Sequence, residues 1–198
     1  MRMWVALPLV TMTLVGCGES QHSRFYLLTE NRVSAYRTAT VRPSTTIALG
    51  AVKLPPALDR PQMARRLGSE EISYAEYDRW AGPLDEMVRQ VLAADLDGRL
   101  PIGVTFIGND TVNSTNLVIS VDIIRFDADA TGLSKLDARW QILGRTGHLV
   151  GAPHNALIVE PGSGPDSAAI AATMSRVVAD LAGEIATGVD GTAAALIQ

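Results

Sequence analysis

At 198 residues, with 17 basic and 21 acidic side chains and a formal net charge of −4, the chain is long enough for one domain with a sizeable core. No run of Lys or Arg offers a phosphate-binding stripe, which argues against nucleic acid as a partner. Nothing beyond the N-terminus approaches membrane-spanning length, and there is neither an internal repeat nor a long low-complexity tract.

Met1 and Arg2 make a short positive start, followed by the nearly uncharged apolar run Met3 to Val15. A spanning helix needs about 20 residues, so this run fits the apolar region of an export signal instead. Leu14-Val15-Gly16 then precedes Cys17, the one cysteine of the chain. The pattern resembles the bacterial lipobox, in which cleavage falls between Gly16 and Cys17 and the thiol takes up a diacylglycerol. The alternative is an ordinary signal peptide with an incidental cysteine. A lone thiol in an oxidising compartment has no disulfide partner, and acylation would remove that liability. Residue 18 is Gly and not Asp, so the resemblance points to the periplasmic face of the outer membrane. The expected organisation is a signal peptide over 1–16, a lipidated cysteine and tether over 17–23, one domain over 24–188, and a mobile tail over 189–198.

Arg24 to Leu28 reads as a short strand, and residues 29–44 as a solvated loop. Thr45 to Leu54 is β-rich, and Pro55-Pro56 ends it, since neither can donate to a ladder. Asp59 to Arg66 reads as an Arg-dense loop, and Glu70 to Tyr77 as another strand. Gly82-Pro83 opens a helix with Pro at its first position and Asp85 and Glu86 near its positive end. Leu84, Met87, Val88, Val91, Leu92 and Leu96 give that helix one buried face, and Gly98 and Pro101 stop it.

Residues 116–126, the turn-like "DADATGLS" and the strictly alternating "KLDARWQIL" predict an antiparallel hairpin with one wet face. Leu136, Ala138, Trp140 and Ile142 fall on its inner side. His154 to Glu160 is a third strand, and Gly162 to Ser167 a loop and helix cap. Ile170, Met174, Val177, Val178, Leu181 and Ile185 then define a second amphipathic helix. The sum is an α+β domain: a mixed, mainly antiparallel sheet with two helices packed on one face.

Catalytic chemistry finds no support in these residues. His148 and His154 stand six apart across a Gly-Pro turn, without cysteine support, and read as polar hairpin residues more readily than as metal ligands. Asp127-Ala128-Asp129 sits in the predicted hairpin turn, where Asp bonds its own backbone. Ser163 lacks the Gly-x-Ser-x-Gly elbow. Glu70, Glu71, Glu76 and Asp78 have no pairing partner in sequence and read as a solvated edge. There is no Walker loop or dinucleotide fingerprint. No catalytic residue, metal or cofactor is assigned.

One segment, residues 52–96, resembles the signature of the ABC-type transport auxiliary lipoproteins, the PqiC-like family. The likeness rests on Leu54-Pro55, on Leu58-Asp59-Arg60-Pro61-Gln62, on Arg66, and on Asp78-Arg79-Trp80 leading to Pro83-Leu84. It extends through Phe25-Tyr26-Leu27-Leu28, the central hairpin and the last helix. The chain departs from the pattern at Pro56-Ala57, where bulkier residues are common, and in its final tail.

The resemblance implies a non-enzymatic, lipid-anchored accessory subunit. It would dock the periplasmic component of an MCE-type lipid-transport system, with its ABC transporter, at the outer membrane, and would form a ring if it matches a multimeric partner. The candidate partner-binding residues are Asp59, Arg60, Pro61, Gln62, Arg66, Arg79 and Trp80. For Trp80 the alternative is a core residue packing the helix start; for Asp59 and Arg60 it is an internal pair that stabilises the turn. Two other classes stay open: an envelope hydrolase, and a lipoprotein regulating peptidoglycan synthesis or outer-membrane assembly.

Overall fold

The computed structural model describes residues 21–31, 46–100, 104–106 and 115–195, with side chains throughout except at 104–106 and 191–195. The strands are β1 (Arg24–Tyr26), β2 (Ile47–Lys53), β3 (Gln62–Arg66), β4 (Ile72–Trp80), β5 (Val104–Phe106), β6 (Leu117–Asp129), β7 (Ser134–Gly144) and β8 (Leu149–Glu160). The helices are α1 (Leu84–Asp97) and α2 (Ser167–Ala195), and a 3-10 turn spans Pro56–Leu58. The strands form one mixed sheet. Its long ladders, β6 with β7 and β7 with β8, are antiparallel. The parallel pairings of β1 with β4, β2 with β5, and β3 with β6 are short.

β6 organises the sheet. One of its edges is taken by β7 along nearly its whole length, from Leu117↔Gly144 to Ala128↔Ser134. Its other edge is shared: β2 runs parallel to its first half, up to Lys53↔Asp122, and β3 to its end, at Arg65↔Ala128 and Arg66↔Asp129. Between them the chain leaves the ladder, because Pro55 and Pro56 have no N–H to give. The detour closes through hydrogen bonds from Leu58 N to Pro55 O (2.9 Å) and from Asp59 N to Pro56 O (3.2 Å).

Both helices cover one face of the sheet. The predicted apolar stripe of α1, from Leu84 to Leu96, is buried throughout, as is that of α2 from Ile170 to Ile185. They meet Ile119, Ile123 and Phe126 of β6 and Leu136, Ala138, Trp140 and Ile142 of β7 in one core. The opposite face is wet, with Asp122, Ile124, Arg139 and Leu157 exposed. At the start of α2 Asp166 is the cap, its side chain accepting from the Ala169 N–H at 3.0 Å.

Several expectations change. Residues 62–66 are strand and not loop: Met63 and Ala64 are buried, and the charges that disguised the strand are met by residues far along the chain. Pro83 stands just before α1 and not inside it, with ψ 127°. Asp127 and Ala128 belong to β6; the turn begins at Asp129. The Gly-Pro segment between the two histidines is no turn but a bulge within β8, where Gly151 takes φ +77° and the register jumps from Trp140↔His154 to Ile142↔Val150. Residues 189–195, expected as a tail, continue α2, and Val189 is buried. Pro101 and most of the 29–44 loop lie outside the described residues, as do Gly16 and Cys17.

Gly188 explains how so small a residue sits in the middle of a helix. A Cβ there would lie 2.2 Å from Cη2 of Trp140, so the helix can reach the sheet only without one. Ala for Gly inside a helix ordinarily gains about 1 kcal/mol. Here Gly188→Ala is expected to lose about 1–3 kcal/mol, read from urea denaturation, because a packed indole must move.

Candidate docking surface

The detour between β2 and β3 builds a cleft of about 470 Å³ against the start of α1. Val52, Leu54, Leu58 and Leu84 give it apolar walls, and Lys53, Asp59 and Asp85 bring charge. Leu58 is buried and fixes the turn to the core, which leaves its neighbours Ala57, Asp59, Arg60 and Pro61 outside. The Arg60 guanidinium lies 4.1 Å above the ring of Tyr74. Tyr74 Oη in turn donates to the carbonyl of Ala57 at 3.1 Å. The stack and the hydrogen bond hold an exposed cation in place, a cation–π contact worth about 0.5–1 kcal/mol at such a site.

The signature residues part company in space. Asp59, Arg60 and Pro61 form one exposed loop, and the Pro61 carbonyl accepts the Trp80 N–H at 2.6 Å. Gln62 and Arg79 are register partners on β3 and β4, both half-buried. Trp80 is 4% exposed and belongs to the core, so of its two readings the packing one is realised and its ring offers no free face. Arg66 lies at the far end of β3.

There it meets Asp127, which sequence reasoning had placed in a turn. Asp127 is 3% exposed and accepts from Arg66 (Nε 2.9 Å) and Arg125 (Nε 3.0 Å, Nη2 2.9 Å). The bridge fastens β3 to β6 where their ladder is only two pairs long. Arg125 and Asp127 are two apart on one strand, and that period-2 spacing was the available signal. Asp129 carries out the turn bonding, accepting from the Thr131 N–H and hydroxyl and from the Leu133 N–H. The Thr131 bond is the chief reason its carboxyl sits below the usual range, against the opposing effect of burial.

Asp78, expected on a solvated edge, is the other buried carboxylate that matters. It accepts from Ser167 Oγ at the start of α2, from Arg24 Nε (2.7 Å) and Nη2 (3.1 Å), and from Tyr26 Oη (3.4 Å). Ser167 Oγ accepts from Arg65 Nη2 at 2.8 Å. Burial alone would push the Asp78 carboxyl up; the Ser167 bond and the bonds and charge of Arg24, with Tyr26, outweigh it and hold the group below its ordinary value. All these bonds are internal, and the group ties β1, β4 and α2 together.

The remaining candidates stay apart. His154 stacks on Trp140 with centroids 3.9 Å apart, while His148 bonds Thr146 at 2.8 Å. Among the described residues no group of three His, Cys, Asp or Glu is placed to hold a metal. Ser163 is exposed in a loop whose glycines press on the β6–β7 turn: a Cβ on Gly162 would lie 2.2 Å from the Gly132 carbonyl oxygen. No helix of the described residues is long and apolar enough to cross a membrane.

The fold has solved counterparts. A crystal structure of an uncharacterized protein superposes with TM-score 0.70 at 16% identity, covering 85% of this chain and 99% of that one. A Xanthomonas campestris protein of the DUF330 family gives 0.70 at 19% identity, over 86% and 96%. Both likenesses concern the fold. PelC of Paraburkholderia phytofirmans, a dodecamer, is a looser neighbour at TM-score 0.44 and 10% identity, over 78% and 94%, too distant to inform assembly. No curated protein matches the sequence. The sequence pattern of the ABC-type transport auxiliary lipoprotein component matches residues 26–186, from β1 through most of α2. The chain thus belongs to the ABC-type transport auxiliary lipoprotein family.

Proposed function

We propose that the protein is a lipid-anchored adaptor of an MCE-type lipid-transport system, held at the periplasmic face of the outer membrane through Cys17 and docking the periplasmic MCE component there. The observation that carries this reading is the exposed Asp59–Pro61 loop beside its cleft. It is fixed at one end by buried Leu58, steadied by the Arg60–Tyr74 stack, and lies within the matched segment. An ordered, charged rim around an apolar hollow is suited to a protein partner, since little ordering entropy remains to be lost on binding. The family is one of transport auxiliary components, which agrees with a surface built for contact. A ring of copies around a multimeric partner fits this role, and analytical ultracentrifugation of the lipidated protein reads it directly.

Affinity purification of the intact lipoprotein from detergent-solubilised envelopes, with in-cell crosslinking, tests the adaptor role. The wild type is expected to recover an MCE-domain protein. Asp59→Ala and Arg60→Ala, both at exposed positions, are expected to lower the Tm by no more than a few degrees and to reduce recovery about tenfold or more, the effect of losing about 1.4 kcal/mol at an anchoring contact. Recovery of peptidoglycan synthases or outer-membrane assembly factors alone would sink the adaptor reading and favour a regulatory one.

A further inference from the structure

We infer that the outer side of β1, made by Phe25, Leu27 and Tyr77, rests on the surface of the phospholipid leaflet that holds the anchor; the inference depends on acylation of Cys17. Among the described residues β1 is the end strand of the sheet. Arg24 and Tyr26 point to the helix side, where both reach Asp78, so alternation turns Phe25 the other way. Phe25 is 65% exposed and Leu27 60%. Phe25 pairs with Arg79 of β4, and Tyr77, two residues before Arg79 on the same face, is 36% exposed.

The exposure is built in. Leu28 is turned into the core, the Thr29 N–H donates to Ser175 Oγ at 3.1 Å, and the Asn31 N–H donates to Asp95 Oδ1 at 2.8 Å. The chain is thereby pinned on both sides of Leu27, and neither Phe25 nor Leu27 can swing inward. Single exposed apolar side chains are ordinary, but three on one face of two paired strands, with Phe25 between Leu27 and Tyr77, make a surface suited to contact.

The length of the tether says which surface. Cys17 lies seven residues before Arg24, so even a fully extended tether spans about 25 Å at most. Acyl chains seated at Cys17 therefore keep β1 near the headgroups. Aromatic and leucine side chains suit that depth, where rings sit among headgroups, and Arg79, the half-buried register partner of Phe25, is the arginine on their face. Another exposed apolar pair, Leu157 and Val159, is on β8, five strands across the sheet and so about 24 Å away at 4.8 Å per strand.

The test uses the lipidated protein reconstituted into phosphatidylethanolamine–phosphatidylglycerol vesicles. An environment-sensitive dye is placed in turn on Leu27→Cys, Tyr77→Cys and, as reference, Leu157→Cys, with spin-labelled lipid as quencher. Dyes at 27 and 77 are expected to shift to the blue and to be quenched at least about twofold more than at 157, as for side chains at the acyl boundary. Adding Phe25→Asp to the labelled Tyr77→Cys chain should abolish the difference without changing the circular dichroism. Equal quenching at all three sites, in a chain whose acylation is confirmed by mass spectrometry, overturns this inference and leaves the anchor standing. A mature N-terminus without acyl chains overturns both. A dye shift that follows protein concentration and not lipid assigns the patch to a second copy of the chain and overturns it too.

Discussion

Replacing Trp80 by alanine is expected to cost the domain about 3–5 kcal/mol, about a fifth or more of the stability of an ordinary domain. The indole is 4% exposed and shares one core with Leu58 and Leu84, so its removal leaves a void where the signature loop, the sheet and α1 meet. Chemical denaturation should show the midpoint collapsing, with Trp80→Phe recovering most of it. Partner recovery should fall with Trp80→Ala as well, for the indirect reason that the Asp59–Pro61 loop loses its footing. Arg60→Ala, which gives up one surface cation–π contact, should leave the midpoint nearly unmoved. Comparison of the two separates contact from scaffold. A Trp80→Ala variant within about 1 kcal/mol of wild type would contradict the burial of the ring.

The same pair of residues shows how much of the structure is legible in the sequence. Periodicity found the buried stripes of both helices, though not the end of α2 beyond Gly188, and it found the inner face of β7, because apolar burial repeats locally. It missed β3 because a strand reading Gln-Met-Ala-Arg-Arg carries its charges inward to partners elsewhere: Arg65 to Ser167 and Arg66 to Asp127. No window of five or ten residues contains that information. The fate of Trp80 was undecidable for a related reason, since an aromatic before a helix suits a core or an interface equally well until the neighbouring strands are placed. Asp78 was hidden by the reading of charges beside a strand as a solvated edge, and Asp127 by its reading as a turn residue that bonds its own backbone. Neither holds once arginines reach the carboxylates from β1, β3 and β6. The exposed loop at Asp59–Pro61 fared better, because two prolines interrupt a ladder whatever lies around them.

Asp78→Ala is expected to cost about 2–4 kcal/mol, because it strands the Ser167 hydroxyl, Tyr26 Oη and the Arg24 guanidinium at once. The cost should depend on pH with a definite sign. The folded-state carboxyl lies below its ordinary value of 3.8, so its contribution is complete above the unfolded carboxylate range and is lost as pH falls through the lower folded value. Asp129 acts in the same sense. Glu184, pushed up first by burial and then by the charge of Asp180, acts in the opposite one. The stability of the wild type to heat should therefore fall progressively as pH drops below about 5, and Asp78→Asn should flatten part of that slope. A variant with an unchanged acid limb would remove Asp78 from the account.

The consequence for function follows from position. In an anchored chain any pull from the membrane enters through β1, which has three register pairs to β4 and, among the described residues, no partner on its outer edge. Three backbone pairings are little to resist such a pull. Asp78 adds side-chain bonds that carry it onward to the first residue of α2 and so into the core. In Asp78→Asn the amides of Arg24–Tyr26 should exchange hydrogen well before the rest of the sheet, whereas in the wild type they should exchange nearer the global rate. Early exchange in both would mean that β1 frays freely and that the carboxylate does not secure the junction between tether and domain.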